Sequence, residues 1–196
     1  MNDFVIPANL DPNSAQYKSI VAEMLSRIDP GLPFGTPLFN AIAKMSTSLA
    51  MEAVVLRRHM QDVNNPHRVE VYLRQRGVEE AYPGQWHAPG SVMRPGESWR
   101  DVADRLKKEF GTGIVSADEI GELFTKEERG PFLSKIFLVE LVGLPREDDR
   151  HCWYPVDDLP QITVDHHKDH IIPLAVMMFA AKLGIRARAR ISEVVR

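Results

Sequence analysis

The spacing of hydrophobic positions changes character along the chain. Ile20, Val21, Met24, Leu25 and Ile28 recur at helical spacing, which predicts an amphipathic helix near the start. Asp11-Pro12 supplies an N-cap followed by proline at the first helical position, and Asp29-Pro30-Gly31 ends the element. The stretch from Gly31 to Pro37 reads as a loop, with a second short helix over Leu38 to Lys44. Residues 1–48 are therefore expected to form a helical N-terminal extension that docks on the domain or on a second subunit, which allows a homodimer.

From Ser48 the pattern becomes strand-like. Met51 to Arg57 and Val69 to Gln75 are β-rich runs separated by Asn64-Asn65-Pro66. A turn-rich loop follows, then a helix with Trp99, Val102, Leu106 and Phe110 on one stripe, closed by Gly111. Ile120 to Phe124 and Phe132 to Val142 are further strands, and a last helix runs from about Asp165 to Leu183. Strands enclosing one helix, with another at the end, predict a mixed α/β sandwich over residues 49–185. Residues 186–196 form a basic tail in which arginine alternates with small residues; a solvated face is its default role.

Composition narrows the class. A chain of 196 residues with 44% hydrophobic and 26% charged content can bury one core of ordinary size. Its formal charge of -3 argues against non-specific nucleic-acid binding. The single cysteine, Cys152, forms no internal disulfide and beside Trp153 reads as a packed thiol. With no signal-peptide pattern and no run of ~20 apolar residues, no membrane partner is expected and the location reads as cytoplasmic.

Chemistry concentrates in Gly84-Gln85-Trp86-His87-Ala88-Pro89-Gly90-Ser91 and the run from Arg94-Pro95-Gly96-Glu97-Ser98 to Gly111. These residues resemble the signature of the Nudix hydrolases, G-x5-E-x7-R-E-U-x-E-E-x-G-U with U aliphatic. Gly84-x-Trp86-x-x-Pro89-Gly90 is similar to the family's entry to that box. The segment Trp153 to Pro160 and the following helix are similar to its late strand and last helix. The resemblance covers roughly residues 49–183 and implies a Nudix-type α/β/α sandwich with a mixed sheet. It also implies cleavage of a pyrophosphate bond in a nucleoside diphosphate linked to another moiety, with Mg²⁺ or Mn²⁺ as cofactor and a small phosphorylated, nucleotide-derived ligand as partner.

The back half of the box departs from the family. Without a gap, Arg105 matches the family arginine, but Leu106 and Phe110 fall on glutamate positions and Lys107 on the aliphatic one. With a one-residue deletion, Leu106, Glu109 and Gly111 match, while Arg105 and Lys108 stand where the family has glutamates. Burying Lys107 unpaired would cost several kcal/mol, so periodicity favours the gapped register. In either register Glu109 alone survives of the three helix glutamates. Candidate catalytic residues are Glu109 and Glu97, and candidate metal ligands are Glu109, Glu97 and the Gly90 carbonyl. Arg105 and Lys108 are cations suited to bind phosphate directly. Trp86 and His87 either line the pocket mouth or pack in the core.

Other acids and histidines carry competing roles. Glu97 also suits an ion pair with a basic residue of the helix, and Asp104 suits one with Lys108. Glu122, Glu127 and Glu128 each read as solvated charges, in a segment from which some family members supply an extra metal ligand. His166 and His170 stand four apart, a metal-capable spacing that is also an ordinary helix start. Two functions remain open on the residues: a hydrolase with a reduced box, or a Nudix-fold protein that binds a nucleotide, another phosphate ligand or a protein partner without hydrolysis.

Overall fold

The computed structural model describes residues 10–30, 32–58 and 68–184. The turn expected at Asn64-Asn65-Pro66 and the basic tail lie outside the described residues. The chain divides into two compact units, Met1–Phe34 with Arg94–Gly96, and Gly35–Met93 with Glu97–Arg196.

In the smaller unit α1 spans Ala15–Ser26. Its N-cap is Ser14, whose hydroxyl accepts from the Tyr17 N–H at 3.1 Å. The expected start at Asp11-Pro12 is thus three residues early. Asp11 instead accepts from Asn13 N at 2.9 Å and closes the preceding turn.

The larger unit begins with α2 (Thr36–Ala43), which has Pro37 in its first turn. A seven-stranded sheet follows in chain order as β1 (Ser48–Arg58), β2 (Val69–Gln75), β3 (Trp86–His87), β4 (Gly90–Val92), β5 (Ile114–Glu127), β6 (Gly130–Leu141) and β7 (His151–Pro155). Between β4 and β5 lies α3 (Trp99–Phe110), and after β7 come a π-helical turn (His167–Ile171) and α4 (Ile172–Lys182). The spatial order is β3-β2-β1-β6-β5, with β4 also on β1 and β7 also on β2. β1 and β6 run parallel; the other pairs are antiparallel, so the mixed sheet that the resemblance implies is present.

β1 reads as an almost unbroken apolar run because both of its faces are covered. Met51, Ala53 and Val55 pack with Val102, Leu106 and Phe110 of α3. Val54 and Leu56 pack with Ile171, Ile172 and Ala175 on the opposite face. The α3 stripe is core: Val102, Leu106 and Phe110 are buried, whereas Lys107 is only half-buried and pairs with Asp104. That pair replaces the expected Asp104–Lys108 contact. A capping box of Ser98 and Asp101 starts α3, and Gly111 at φ 71° ends it. No helix among the described residues is long and apolar enough to cross a membrane.

Candidate ligand site

The loop before α3 and the last turn of α3 carry the residues singled out in the sequence, and each carboxylate there already has a guanidinium partner. Glu97 Oε1 accepts from Arg105 Nη1 at 3.0 Å, and Arg105 Nη2 donates to the Val92 carbonyl at 2.8 Å. Arg105 therefore ties the end of β4 to the residue that precedes the cap of α3. Glu97 takes the ion-pair role foreseen for it, and Arg105 works inside the fold instead of presenting its charge to a ligand.

Glu109 is the penultimate residue of α3, opposite Arg74 of β2. Arg74 Nε lies 3.3 Å from Glu109 Oε1, its Nη2 donates to Glu80 Oε1 at 2.6 Å, and its Nη1 is 3.4 Å from His87 Nε2. Glu80 is fixed in turn by the Gly77 N–H at 2.7 Å. Burial pushes the Glu109 carboxyl above its ordinary value, and the Arg74 charge offsets this only in part. At Glu80 burial also pushes upward, but the bonds from Arg74 and Gly77 outweigh it and hold that carboxyl below the usual range.

Beneath this hub lies a second polar group that the sequence reading did not single out. Glu52 of β1 is buried, with Ser134 Oγ donating to Oε1 at 3.4 Å and His167 Nε2 3.7 Å from Oε2. The Ala88 N–H donates to His167 Nδ1 at 3.3 Å, which places the ring proton on Nε2, facing Glu52. The rings of His87 and His167 are 5.5 Å apart. Burial pushes the Glu52 carboxyl up to about 8 despite the nearby Arg76. It pushes both histidines well below their usual value, so both are neutral at pH 7. Gly90 pairs with Glu52 across the β1–β4 ladder and must be glycine, because a Cβ there would run into the Glu52 carboxylate.

The remaining candidates fall as follows. Trp86 is buried and meets Tyr154 edge-on at 5.0 Å, so its indole is a core group. His87 is buried beside Arg74 instead of open at a mouth. Lys108 is exposed in the last turn of α3. Ser91, which follows Gly90, adopts no positive φ: among the described residues Tyr82 is the non-glycine that does. Glu127 is bound to Arg129, and Glu122 and Glu128 are exposed. His166 is half-buried against His167 at 4.7 Å between ring centroids, and His170 is exposed.

A magnesium ion requires several oxygen ligands that can turn toward it. Here Glu97 is held by Arg105, Glu109 faces Arg74, and α3 carries Arg105 and Lys108 where the family has glutamates. Among the described residues no three of His, Cys, Asp and Glu converge as metal ligands. The donor set does not fit a hard dication.

Arg74, Glu80, Glu52, His167 and Ser134 were missed as site residues. The readable signal was Glu52, an acid inside the buried run Met51 to Leu56, on the same face as Val54 and Leu56. An acid in that position has to find partners inside the fold.

No protein-family model and no curated protein matches the sequence. Solved structures do. A MutT Nudix hydrolase from Burkholderia pseudomallei superposes with a TM-score of 0.52 at 22% identity, over 66% of this chain and 96% of that one. The Nudix domain of Shewanella oneidensis NrtR, in complex with ADP ribose, gives 0.52 at 17% identity over 81% and 97%. A UDP-X diphosphatase gives 0.53 at 15% identity over 84% and 72%. At these identities the likeness is one of fold: the chain has the α/β fold of the Nudix hydrolases.

Proposed function

We propose that this Nudix-fold chain binds the diphosphate of a small nucleotide-derived ligand directly, without a bridging dication, and does not hydrolyse it. The observation that carries this reading is the Arg74–Glu109 contact at 3.3 Å: the one surviving helix carboxylate of the box faces a guanidinium. Removing the metal leaves the charge of a diphosphate to be met by cations, and a guanidinium offers parallel donors to phosphate oxygens. Arg74 would exchange Glu109 for a phosphate oxygen while Glu80 keeps the guanidinium in place. Exposed Lys108, in the last turn of the same helix, would add a second positive charge.

Glu109 is already raised by burial, and a phosphate in place of the guanidinium would raise it further. Ligand binding would then take up a proton at Glu109. The fold shared with a Nudix domain solved with ADP ribose makes that molecule the first ligand to test.

The test is ³¹P NMR of ADP ribose, nucleoside diphosphate sugars and nucleoside triphosphates incubated with the protein in Mg²⁺, Mn²⁺ or EDTA. The proposal expects a bound ligand whose phosphorus signals stay intact in all three. Metal-dependent cleavage that disappears in Glu109→Gln would instead establish a hydrolase with a reduced box.

A further inference from the structure

β5 is the outermost strand of the sheet, and among the described residues no strand pairs with its free side. Its other side is taken by β6, with register shifts between Ile114 and Ser116 and between Glu119 and Gly121. Beyond the second shift the ladder is regular, from Gly121 opposite Ile136 to Glu127 opposite Gly130. The outer side of this segment presents a straight row of backbone N–H and C=O groups, a template on which another strand can pair.

The side chains of the segment select that strand. A Cβ on Gly121 would meet Leu174 Cδ2 of α4 at 2.9 Å, and Leu123 packs in the cluster beneath α4. Glu122, Phe124 and Lys126 therefore project from the opposite face. All three are exposed, and Phe124 is 58% exposed although it is a large apolar ring. Phe124 also ends an apolar row across the sheet: it stands opposite Leu133, which stands opposite Leu49, itself exposed.

The regular segment is centred on Phe124, with Glu122 and Lys126 two residues to either side. An antiparallel copy centred there sets Phe124 against Phe124, and Glu122 of each copy against Lys126 of the other. Centring the pair on Glu122 or on Lys126 would instead oppose like charges, which is unfavourable directly across a ladder. The charge pattern thus favours one register of this strand with itself.

We propose that β5 is a homodimer interface: two copies pair antiparallel along residues 121–127, about a two-fold axis through Phe124, and their sheets join into one. The backbone ladder supplies the attraction, and the two equivalent Glu122–Lys126 pairs fix the register. The apolar rows of the two copies meet at the Phe124 rings. β6 and β1 stand between β5 and β2, so the interface stays clear of the Arg74–Glu109 hub. It also uses nothing of the N-terminal helices.

The test is sedimentation equilibrium of the full-length protein over a concentration series reaching about 1 mM, the Kd range of weak association. The unmodified chain is expected to dimerise. Lys126→Glu and Glu122→Lys should each weaken the dimer about tenfold, because each sets like charges opposite at two symmetric places. The exchange Glu122→Lys with Lys126→Glu should restore it, since the pairs are attractive again with their signs reversed. Thermal melting of the dilute proteins checks that each variant is folded; both side chains are exposed, so the melts should coincide. A chain that stays monomeric throughout, a dimer that both single variants leave unchanged, or an exchange that fails to restore it would each overturn the proposal.

Discussion

Arg74 Nε and Glu109 Oε1 stand 3.3 Å apart, and the same guanidinium holds Glu80 at 2.6 Å. One cation therefore serves two carboxylates on different elements, the loop after β2 and the end of α3. Removing it leaves both acids partly buried with their positive partner gone. Arg74→Met is expected to cost about 2 kcal/mol, less than the ~3–5 of a fully buried pair because part of the arginine is exposed. Urea unfolding measures that cost, and a titration with ADP ribose should show binding lost beyond it. A variant that binds normally would remove Arg74 from the site.

Arg105 should behave differently. Its bonds to Glu97 and the Val92 carbonyl join two backbone segments. Arg105→Ala is expected to destabilise by about 1–2 kcal/mol, and Arg105→Lys by nearly as much, since an ammonium cannot reproduce the two-armed geometry. A double-mutant cycle with Glu97→Gln should show coupling of about 1 kcal/mol. Loss of ligand binding with unchanged stability would make Arg105 a ligand-contacting residue instead.

The buried Glu52 predicts an unusual pH dependence. Its carboxyl is raised to about 8 in the fold, mainly by burial, so between the unfolded value and pH 8 the native state binds more protons than the unfolded chain. Its contribution to stability is complete at low pH and is lost as pH rises through about 8. Buried neutral His87 and His167 act in the opposite sense, but only below about pH 6.5, their unfolded value. The groups that face Glu52 are His167, Ser134, Arg76, Glu127 and Arg129. Denaturant midpoints between about pH 6.5 and 8 should fall in the wild type and stay level in Glu52→Gln. A flat wild-type profile would mean that Glu52 is ionised throughout.

Gly90→Ala should be among the most damaging small substitutions. The added Cβ would collide with the Glu52 carboxylate and approach the Met51 carbonyl oxygen to 2.9 Å. Overpacking of this kind costs about 2–3 kcal/mol, read as a lower urea midpoint at unchanged slope. A near-neutral result would show that Glu52 can swing away from Gly90.

How much of this was readable in advance depends on the kind of signal each residue leaves. Val102, Leu106 and Phe110 repeat every four positions, and that spacing alone identified the buried face of α3 and kept Lys107 off it. β1, β2 and β6 were legible through β-branched runs bounded by turn formers, whereas β5 runs from Ile114 to Glu127 instead of Ile120 to Phe124, and the short β3 and β4 fall in what read as a loop. The start of α1 was misjudged because Asp11-Pro12 and Ser14 are both competent caps, and the choice rests on local hydrogen bonds. The π-helical turn at His167–Ile171 has no sequence period of its own, so the last helix looked continuous. The hub around Arg74 was invisible because His87 meets Arg74 only when the β2–β3 pairing forms, and Glu109 reaches it only when α3 packs on the sheet. Counting box carboxylates could say that glutamates were missing, but not that a guanidinium faces the one that remains.

The most direct test of the central claim is calorimetric titration of ADP ribose into the full-length protein, in EDTA and then in Mg²⁺, in two buffers of different ionisation enthalpy. The account predicts the same Kd with and without the metal, and uptake of a proton as Glu109 gives up Arg74. Binding that requires Mg²⁺, or heat from turnover that appears only with the metal, would contradict it.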